Sequence, residues 1–391
     1  MRYDVIVIGL GAHGSATAYQ LARRGHRVLG LEAFARAHDL GSSGGLSRII
    51  RLAYFEHPDY VPMLRAAWEL WPHIEAEAGN QLMLTTGGLY CGRAGSGVLD
   101  GSLGSARQHG LPYQLLDAAE ARRRFPALRL DDDMQALHEP LAGLLYPEKC
   151  IEAHLGLADR HGAELHFAER VSAWRRDGQG IAVTTEQATY SAERIVIAAG
   201  AWLPALAPEL ELPLTVERNP LFWFEPSAGE AHLLTPDRLP VWIVELDDEH
   251  AFYGFPSLPG QGFKAARHHG GLRADPDALD RQVHPTDEAP VRRFLERYLP
   301  AGNGRRLRAQ VCMYTNTPDF HFVVDFHPAD ERVLVLSPCS GHGFKFSSVI
   351  GSIAADLVTE RTTSFEIGFM SLDRFVEAEA LQGLTAVPGQ E

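Results

Sequence analysis

The chain has 391 residues, which suffices for two or three domains and for a large core that needs neither disulfides nor metal ions. Hydrophobic residues make up 45% of the sequence and charged residues 22%, values that exclude a disordered, collagen-like or coiled-coil chain. The formal net charge of −14 argues against a nucleic-acid-binding protein, because a phosphate backbone attracts basic surfaces.

The N-terminal residues predict a strand–turn–helix–strand unit. A continuous apolar, β-branched run over residues 3–9 is typical of a strand that is covered on both faces. Residues 15–24 follow with a helical pattern, and residues 26–31 predict a second strand. Two strands joined through a helix in this way are the opening unit of a nucleotide-binding sheet.

Three glycines and one acidic residue give this unit its chemistry. Gly9, Gly11 and Gly14 form a GxGxxG motif, and Glu32 ends the second strand. The first glycine allows a tight turn, the second lets a pyrophosphate approach the backbone, and the third lets the helix pack closely on the strand. The helix N-terminus stabilises the phosphate charge, and the carboxylate accepts hydrogen bonds from ribose hydroxyls. The motif therefore predicts a dinucleotide site.

The remaining elements alternate between helical and strand patterns. Buried, parallel-type strands occur in three separated blocks, which predicts a nucleotide domain assembled from discontinuous segments around a second domain. From residue 213 to about 263, aromatic and polar residues alternate as in an antiparallel sheet. The other predicted elements are a helix over 58–77 that Pro72 kinks or shortens, a strand over 82–90, a helix over 150–161, a strand over 194–199, a helix over 287–298, a strand over 332–336 and a helix over 346–357.

Lysine is scarce in this sequence. Only Lys149, Lys264 and Lys345 occur among 36 basic residues, and the rest are arginines. Because an ammonium is compact and a guanidinium is wide and planar, a lysine in such a chain can mark a place where arginine does not serve. Lys149 is predicted to lie at an exposed helix start, whereas the other two lie in segments rich in glycine and aromatic residues.

The four cysteines show no pattern of a disulfide framework or a zinc site. They are scattered without CxxC spacing, no apolar run approaches the roughly 18 residues of a membrane span, and no signal-peptide pattern opens the sequence. These features lead us to expect a cytoplasmic protein without membrane or nucleic-acid partners. The cysteines are Cys91, Cys150, Cys312 and Cys339.

Motifs spread along the chain resemble those of one flavoenzyme family. The sequence resembles the monomeric sarcosine oxidases and N-methyltryptophan oxidases from residue 1 to about 375, in order and with similar spacing. The last two motifs are specific and together carry more weight than the glycine motif. The motifs are Gly9–Gly14, Gly41–Ser43, Ser47–Arg51, Tyr60–Pro62, Tyr253–Pro256, Val311–Thr315 and Ser340–Ser348.

The resemblance implies a fold and a division into domains. The family fold is α+β, a D-amino-acid-oxidase-like two-domain flavoprotein with an α/β FAD-binding domain of the Rossmann type and a substrate domain built on an antiparallel sheet. We therefore predict an FAD-binding domain from residues 1–85, 145–212 and 312–380, a substrate-binding domain from residues 86–144 and 213–311, and a C-terminal tail over 381–391.

The resemblance also implies that FAD is attached covalently through Cys312, with Arg48 near the flavin ring. Cationic surroundings favour the thiolate that such a bond requires. The residue type alone leaves a small buried hydrophobic residue as the alternative for Cys312. The sequence departs from the family at Gly44, where relatives often have a histidine, and this leaves the efficiency of attachment open.

The other cofactor contacts implied by the resemblance are spread over the predicted FAD-binding segments. The full set is Gly9, Gly11, Gly14, Glu32, Ser42, Ser43, Arg48, Val171, Gly200, Trp202, Cys312, Gly341, Gly343, Phe344 and Lys345.

The resemblance assigns the substrate side of the site as well. Arg51 and Lys345 match a pair that holds the carboxylate of an amino acid, and Lys264 matches a lysine that promotes oxygen reduction. The remaining predicted catalytic residues are Arg48, His268, Tyr253 and Tyr314. From the residue types alone, a solvated arginine remains the alternative for Arg51, and a solvated strand end the alternative for His268.

These expectations lead to an FAD-dependent oxidase of secondary amino acids. It oxidises the C–N bond of sarcosine or another N-methyl amino acid to an imine, which water converts to an aldehyde and an amine, while O2 becomes H2O2. We expect a monomer whose partners are a small secondary amine and O2. The alternatives are the same chemistry on pipecolate, a proline-like or a glycated amino acid, a nicotinamide-dependent dehydrogenase, and a non-catalytic nucleotide-binding subunit.

Overall fold

A computed structural model describes residues 2–247 and 250–375 of the chain, and the predicted C-terminal tail lies outside these residues. The α-helices are α1 (Ala12–Arg23), α2 (Val61–Ala78), α3 (Gly97–His109), α4 (Ala118–Arg124), α5 (Pro147–Arg160), α6 (Leu203–Leu206), α7 (Pro285–Tyr298) and α8 (Ser347–Glu360). The strands are β1 (Arg2–Ile8), β2 (Val28–Leu31), β3 (Arg48–Arg51), β4 (Met83–Thr85), β5 (Gly88–Arg93), β6 (Gln114–Asp117), β7 (Met134–Glu139), β8 (Ala142–Leu145), β9 (Glu164–His166), β10 (Val171–Asp177), β11 (Gly180–Thr185), β12 (Thr189–Ile197), β13 (Thr215–Phe224), β14 (Val241–Asp247), β15 (His250–Gly254), β16 (Phe263–His268), β17 (Leu272–Arg273), β18 (Arg306–Asn316), β19 (Val323–His327) and β20 (Asp330–Ser337).

Among the described residues, the first of two compact units consists of residues 2–38, 154–215 and 315–375. Its sheet has a parallel centre in the order β20-β12-β1-β2-β9, and the antiparallel strands β10, β11 and β19 extend it. The predicted strand–helix–strand unit is confirmed as β1, α1 and β2, and the predicted strands over 194–199 and 332–336 are confirmed within β12 and β20.

The helices α1 and α8 of this unit pack closely against each other. A Cβ atom added to Gly351 of α8 would lie 2.7 Å from the Cβ atom of Ala16 on α1. The two helices therefore approach each other over small residues. Both helices follow strands of the parallel centre, so their N-termini lie at the carboxyl edge of the sheet, where ligands bind in folds of this kind.

The second unit consists of residues 39–153, 216–247 and 250–314 of the described part of the chain. Its nine-stranded sheet has the order β17-β13-β16-β15-β14-β5-β7-β6, with β18 paired to β13, and a small sheet has the order β3-β8-β4. The strand β13 pairs with β16, and β15 pairs with β14 and β16, all antiparallel. These pairs confirm the antiparallel sheet that the alternation over residues 213–263 predicts. A core of aromatic side chains, including Phe222 and Trp242, covers one face of the large sheet.

The compact units and the predicted domains divide the chain at different places. We predicted residues 39–85 in the FAD-binding domain, but these residues belong to the second unit. They supply β3 and β4 to the small sheet, where both strands pair with β8, so strand pairing holds them in the second unit. The assignment of FAD and substrate to the two sets of segments remains a prediction.

Two predicted elements differ from the structure. The run over 82–90 contains all of β4 and the first residues of β5, because Gly87 has a φ of +74° and interrupts the strand. The helix predicted over 58–77 is a short 3-10 helix, Pro58–Tyr60, followed by α2, and Pro72 does not shorten α2, which continues to Ala78. Trp71 and Ile74 beside the proline are buried, and the free energy gained by burying them offsets the roughly 3 kcal/mol that an internal proline costs.

Candidate active site

The predicted dinucleotide motif has tight backbone geometry in the first unit. Gly9 has a φ of +87°, and a Cβ atom there would lie 2.6 Å from the carbonyl oxygen of Ala198. Gly11 is the N-cap of α1, and a Cβ atom at Gly14 would lie 1.8 Å from the carbonyl oxygen of Gly9. Only glycine fits at the first and third positions without a shift of the backbone.

Glu32 lies directly after β2 with its side chain buried. Its carboxylate accepts hydrogen bonds from the backbone N–H groups of Leu10, at 2.8 Å, and Phe34, at 3.0 Å. It therefore fixes the turn after β1 to the turn after β2. A carboxylate has about four acceptor positions, so acceptor capacity remains for a ribose hydroxyl.

The Ser340–Ser348 motif also lies in the first unit and begins with a strained turn. Ser340 has a φ of +52°, and its N–H donates to the carbonyl oxygen of Thr315 at 2.8 Å. A Cβ atom at Gly343 would lie 1.7 Å from the carbonyl oxygen of Pro338, so this turn requires glycine. Lys345 is 5% exposed, and its Nζ donates to the carbonyl oxygen of His342 at 2.6 Å.

The other predicted cofactor residues of the first unit differ in their surroundings. Val171 begins β10 and is buried in the core. Gly200 has a φ of +55° and opens a short 3-10 helix that ends at Trp202, whose ring centroid lies 5.1 Å from that of Phe34. Gly341 has a φ of +77°, and Phe344 is buried.

These residues fit a dinucleotide. The first turn of α1 has no acidic side chain. The positive end of the helix dipole can therefore attract an anion without competition from a carboxylate of that turn. Within the described part of the chain, the hydroxyl oxygens of Thr315, Ser347 and Ser348 are buried without a hydrogen-bond partner in the protein. Buried hydroxyls of this kind suit a polar ligand, since an unpaired buried group costs free energy.

Lys264 in the second unit is a buried ammonium held by a loop. The side chain is 2% exposed, and Nζ donates to the carbonyl oxygens of Gly45, at 2.7 Å, and Ser47, at 2.8 Å. Burial, reinforced by the charge of Arg48, holds the pKa of Lys264 well below its ordinary value of 10.5. Its Nζ also lies 5.2 Å from the centroid of the Trp223 ring, opposite it on β13.

Arg48 and Cys312 lie side by side in the same unit. The Arg48 guanidinium lies 3.4 Å from the Cys312 sulfur, and it also donates to the carbonyl oxygens of Ser42 and Ser47. Cys312 is buried, so the alternative of a small buried residue also agrees with its position.

The loop of residues 42–47 is shaped around glycine, and it includes Gly44, where the resemblance leads us to expect a histidine. Gly45 has a φ of +108°, and a Cβ atom at Gly44 would lie 2.8 Å from the Cβ atom of Asp39. A larger side chain at Gly44 therefore requires the loop to move. Ser43 is half-buried in the same loop.

The predicted pocket residues Tyr253, His268 and Tyr314 form one aromatic group. The hydroxyl of Tyr314 lies 3.5 Å from Nδ1 of His268, and the Tyr253 and His268 rings meet edge to face. Burial raises the pKa values of both tyrosines, that of Tyr314 well above 10. Both tyrosines are therefore neutral hydrogen-bonding groups at physiological pH.

Arg51 is buried and already paired with a carboxylate. It is 2% exposed, and its guanidinium lies 4.2 Å from the ring centroids of both Tyr54 and Phe55. One terminal nitrogen donates to both oxygens of Glu56, at 2.6 and 2.5 Å, and the other donates to the carbonyl oxygen of Ala53. The structure thus places Arg51 in an enclosed setting suited to carboxylates.

Three carboxylates that no sequence motif indicates support these residues. Glu56 pairs with Arg51, and Glu148 accepts from the N–H groups of Gly45 and Leu46. Glu139 accepts from the N–H groups of Leu52 and Ala53, directly after Arg51. Each lies in a separate segment, and no spacing rule connects these segments.

The chain matches a known family model along most of its length. Residues 4–357 match the family described as FAD dependent oxidoreductase. This match decides against a nicotinamide-dependent dehydrogenase. No helix among the described residues is long and apolar enough to cross a membrane.

Individual relatives narrow the family further. The chain is 45% identical to the monomeric sarcosine oxidase of Streptomyces avermitilis, over 97% of this chain and 99% of the relative. It is 34% identical to the N-methyl-L-tryptophan oxidase of Yersinia pestis, over 96% of this chain and 100% of the relative. The solved structure of NikD, an unusual amino acid oxidase of nikkomycin biosynthesis, matches 95% of this chain and 97% of its own with a TM-score of 0.83 and 27% identity. The chain therefore belongs to the FAD-dependent oxidoreductases, within the group of monomeric sarcosine oxidases and N-methyltryptophan oxidases, and has their two-domain flavoprotein fold.

Proposed function

We propose that this protein oxidises the C–N bond of a secondary amino acid, sarcosine or another N-methyl amino acid, and reduces O2 to H2O2. The observation that carries the proposal is the buried cluster of Lys264, Arg48 and Cys312, in a chain whose relatives are named as oxidases of such compounds. The imine product reacts with water to give an aldehyde and an amine.

FAD, when bound, would supply the redox chemistry, the uptake of two electrons from the substrate and their transfer to O2. The side chains of this protein contribute binding, orientation and charge. The neutral amine is the reactive form of the substrate, because its lone pair assists departure of the hydride.

Arg51 contributes the orientation of the substrate. Its guanidinium binds the carboxylate, which limits rotation of the amino acid and presents its C–H bond in one direction. Lys345 is the second cation of the proposed carboxylate site. Tyr253, His268 and Tyr314 are aromatic neighbours of one another that shape the pocket and exclude water.

Lys264 contributes charge to the oxygen half of the reaction. Transfer of an electron to O2 creates superoxide, and a fixed ammonium stabilises this negative charge as it develops. The loop carbonyls hold Nζ in place beforehand, so no reorganisation is needed during the reaction.

Covalent attachment of FAD through the Cys312 sulfur, a monomeric state and a cytoplasmic location are further parts of the proposal. The Arg48 guanidinium beside the sulfur supports the first. The word monomeric in the names of the sarcosine oxidase relatives supports the second. The cysteine pattern supports the third.

A substrate panel tests the proposed function. The purified protein is incubated in air with sarcosine, N-methyl-L-tryptophan, L-pipecolate, L-proline, a fructosyl amino acid and glycine, and H2O2 is measured. We expect the highest kcat/KM with an N-methyl amino acid. Peroxide formation only with the cyclic or glycated compounds would replace the proposed substrate class, and no turnover with bound FAD would favour a non-catalytic protein.

A further inference from the structure

The ion pair between Arg51 and Glu56 conflicts with simple binding of a substrate carboxylate. One terminal nitrogen of Arg51 already donates to both Glu56 oxygens, and the other donates to the carbonyl oxygen of Ala53. The rings of Tyr54 and Phe55 lie against the guanidinium. With Arg51 only 2% exposed, an incoming carboxylate has to exchange with one of these partners.

The partners of Arg51 differ in how firmly the fold holds them. The N–H groups of Leu52 and Ala53 donate to the buried carboxylate of Glu139, at 2.8 and 2.9 Å. The carbonyl oxygen of Tyr54 accepts from the hydroxyl of Ser105, and the tyrosine ring is fully buried. The segment over 52–54 is therefore fixed by groups from two other elements.

Glu56 lies where this segment reaches the surface. Its side chain is 12% exposed against 2% for Arg51, and the side chain of the next residue, His57, is 41% exposed. Rotation about the side-chain bonds of Glu56 can bring its carboxylate into water without disturbing the anchored residues. Glu56 is thus the partner of Arg51 that can leave most easily.

We propose that Glu56 is a resident carboxylate ligand of Arg51 which the carboxylate of the substrate displaces, so that Glu56 sets the affinity of the site for carboxylates. The inference rests on the proposed function of Arg51. In the free enzyme Glu56 keeps the buried guanidinium paired, since a buried unpaired charge is costly. In the complex the substrate takes its place and Glu56 becomes hydrated.

This exchange makes a specific demand on the ligand. A substrate carboxylate replaces one charge-assisted interaction by another, so the net charge around Arg51 is preserved. An uncharged ligand cannot displace Glu56 without leaving Arg51 unpaired, and the site therefore rejects amines that lack a carboxylate. Glu56 is in this sense a specificity-determining residue that acts through Arg51.

Binding of methoxyacetate to the holoenzyme tests the proposal. This ion keeps the carboxylate of sarcosine and has an ether oxygen in place of the amine, so it is not oxidised. Its dissociation constant is measured by titration of the flavin absorbance and by calorimetry. We expect Glu56→Gln to lower the Kd about tenfold, because a neutral amide bonds Arg51 more weakly than a carboxylate does. Glu56→Asp, which keeps the charge and shortens the side chain, should give a smaller change.

Two controls isolate the exchange. Methoxyacetamide lacks the charge, so its Kd should not fall in Glu56→Gln. Glu288→Gln removes a carboxylate that pairs with Arg292 and Arg306 at another place in the second unit, and it should leave the Kd of methoxyacetate unchanged. These results would support the proposal, since loss of stability or of net charge alone does not strengthen binding of one ligand selectively.

The outcomes separate the inference from the proposed function. If Arg51→Ala weakens binding of methoxyacetate but Glu56→Gln does not strengthen it, Glu56 is structural and the inference is wrong. If Arg51→Ala binds methoxyacetate like the wild type, Arg51 is not the carboxylate site, and that part of the proposed function fails together with the inference.

Discussion

At the scale of single residues, Lys264 shows how the fold compensates a buried charge. Transfer of an ammonium from water into a protein interior is costly, and this cost lowers the pKa of Lys264. Two carbonyl groups and the Ser47 hydroxyl accept from Nζ. An ammonium offers three donors, which matches these three acceptors, whereas a planar guanidinium fits this small site poorly.

We expect Lys264→Met to affect the oxygen half-reaction selectively. Loss of one preorganised charge typically costs ~10²–10³ in rate, so reoxidation of the reduced flavin by O2 should slow by this factor. Anaerobic reduction by substrate should change far less, and Lys264→Arg should restore the rate only in part. Stopped-flow measurement of both half-reactions checks this. Slow reduction with normal reoxidation would make Lys264 a substrate-binding residue instead.

Cys312→Ser tests the proposed covalent bond to FAD. A thioether survives acid precipitation, and a serine oxygen cannot form it, so the wild-type pellet should be yellow and the flavin of the variant should appear in the supernatant. Cys91→Ser, which changes another buried cysteine of the second unit, should leave the flavin in the pellet. Complete release of flavin from the wild type would show that Cys312 is not the attachment site, and Gly44 would then be the first position to examine.

Glu139 should couple the stability of the protein to pH. Burial raises the pKa of its carboxyl from 4.5 to about 7, although hydrogen bonds from Tyr90, Ala53 and Leu52 favour the ionised form. Because the folded-state pKa is the higher one, the stabilising contribution is complete below about pH 4.5 and is lost as the pH rises to about 7. This difference corresponds to roughly 3 kcal/mol of unfolding free energy.

We expect Glu139→Gln to remove this pH dependence. Relative to the wild type, its free energy of unfolding should rise by up to roughly 3 kcal/mol over that pH range. Urea unfolding of the holoenzyme at a series of pH values checks this, with Glu288→Gln as the control for the loss of one carboxylate. The same pH dependence in Glu139→Gln and the wild type would contradict the assignment.

At the scale of elements, hydrophobic periodicity and glycine spacing predict the helices and strands whose formation depends on residues close together in the sequence. The β1–α1–β2 unit, the helix α8 and the exposed start of α5 at Lys149 were predicted and are confirmed. The pairing that brings β3 against β8 depends on residues almost a hundred positions apart, so no local pattern shows it. For this reason the sequence pattern predicts residues 39–85 in the FAD-binding domain, whereas the structure has them in the second unit.

The same limit explains which site residues were predicted. The resemblance to the family implies Arg48, Lys264 and Cys312 as site residues, and the structure brings these three together. Glu139 and Glu148 act on backbone N–H groups, and such contacts leave no sequence motif because any loop residue supplies an N–H group. Glu56 lies five residues after Arg51, but an acidic residue in a loop is too common to indicate an ion pair.

Two helical glycines give a matched test of the packing between α1 and α8. A Cβ atom at Gly351 would lie 2.7 Å from atoms of Ala16, so Gly351→Ala should destabilise the protein by about 1–3 kcal/mol. Gly104 on α3 has open space around it, so Gly104→Ala should stabilise by roughly 0.5–1 kcal/mol through its helix propensity. Chemical denaturation measures both. Equal effects of the two substitutions would show that the helix contact is looser than the structure indicates.

At the scale of the whole molecule, the three lysines divide into one surface residue and two buried ones. Lys149 is exposed in the first turn of α5. Lys264 and Lys345 are 2% and 5% exposed, and each donates hydrogen bonds to backbone carbonyl groups. Since the remaining 33 of 36 basic residues are arginines, the surface of the protein carries its positive charge almost entirely as guanidinium groups.

This distribution predicts a simple labelling pattern. An amine-acylating reagent reaches a buried lysine only when the surrounding structure opens, and an opening free energy of roughly 3 kcal/mol slows the reaction more than about 100-fold. We therefore expect the folded holoenzyme to be acylated at Lys149 long before Lys264 or Lys345, as followed by peptide mass spectrometry. In strong urea the three lysines should react at similar rates, because the burial that separates them is lost. Labelling of Lys264 in the folded protein at the rate of Lys149 would show that its loop opens readily, and the ammonium would then not be held in advance for the reaction with oxygen.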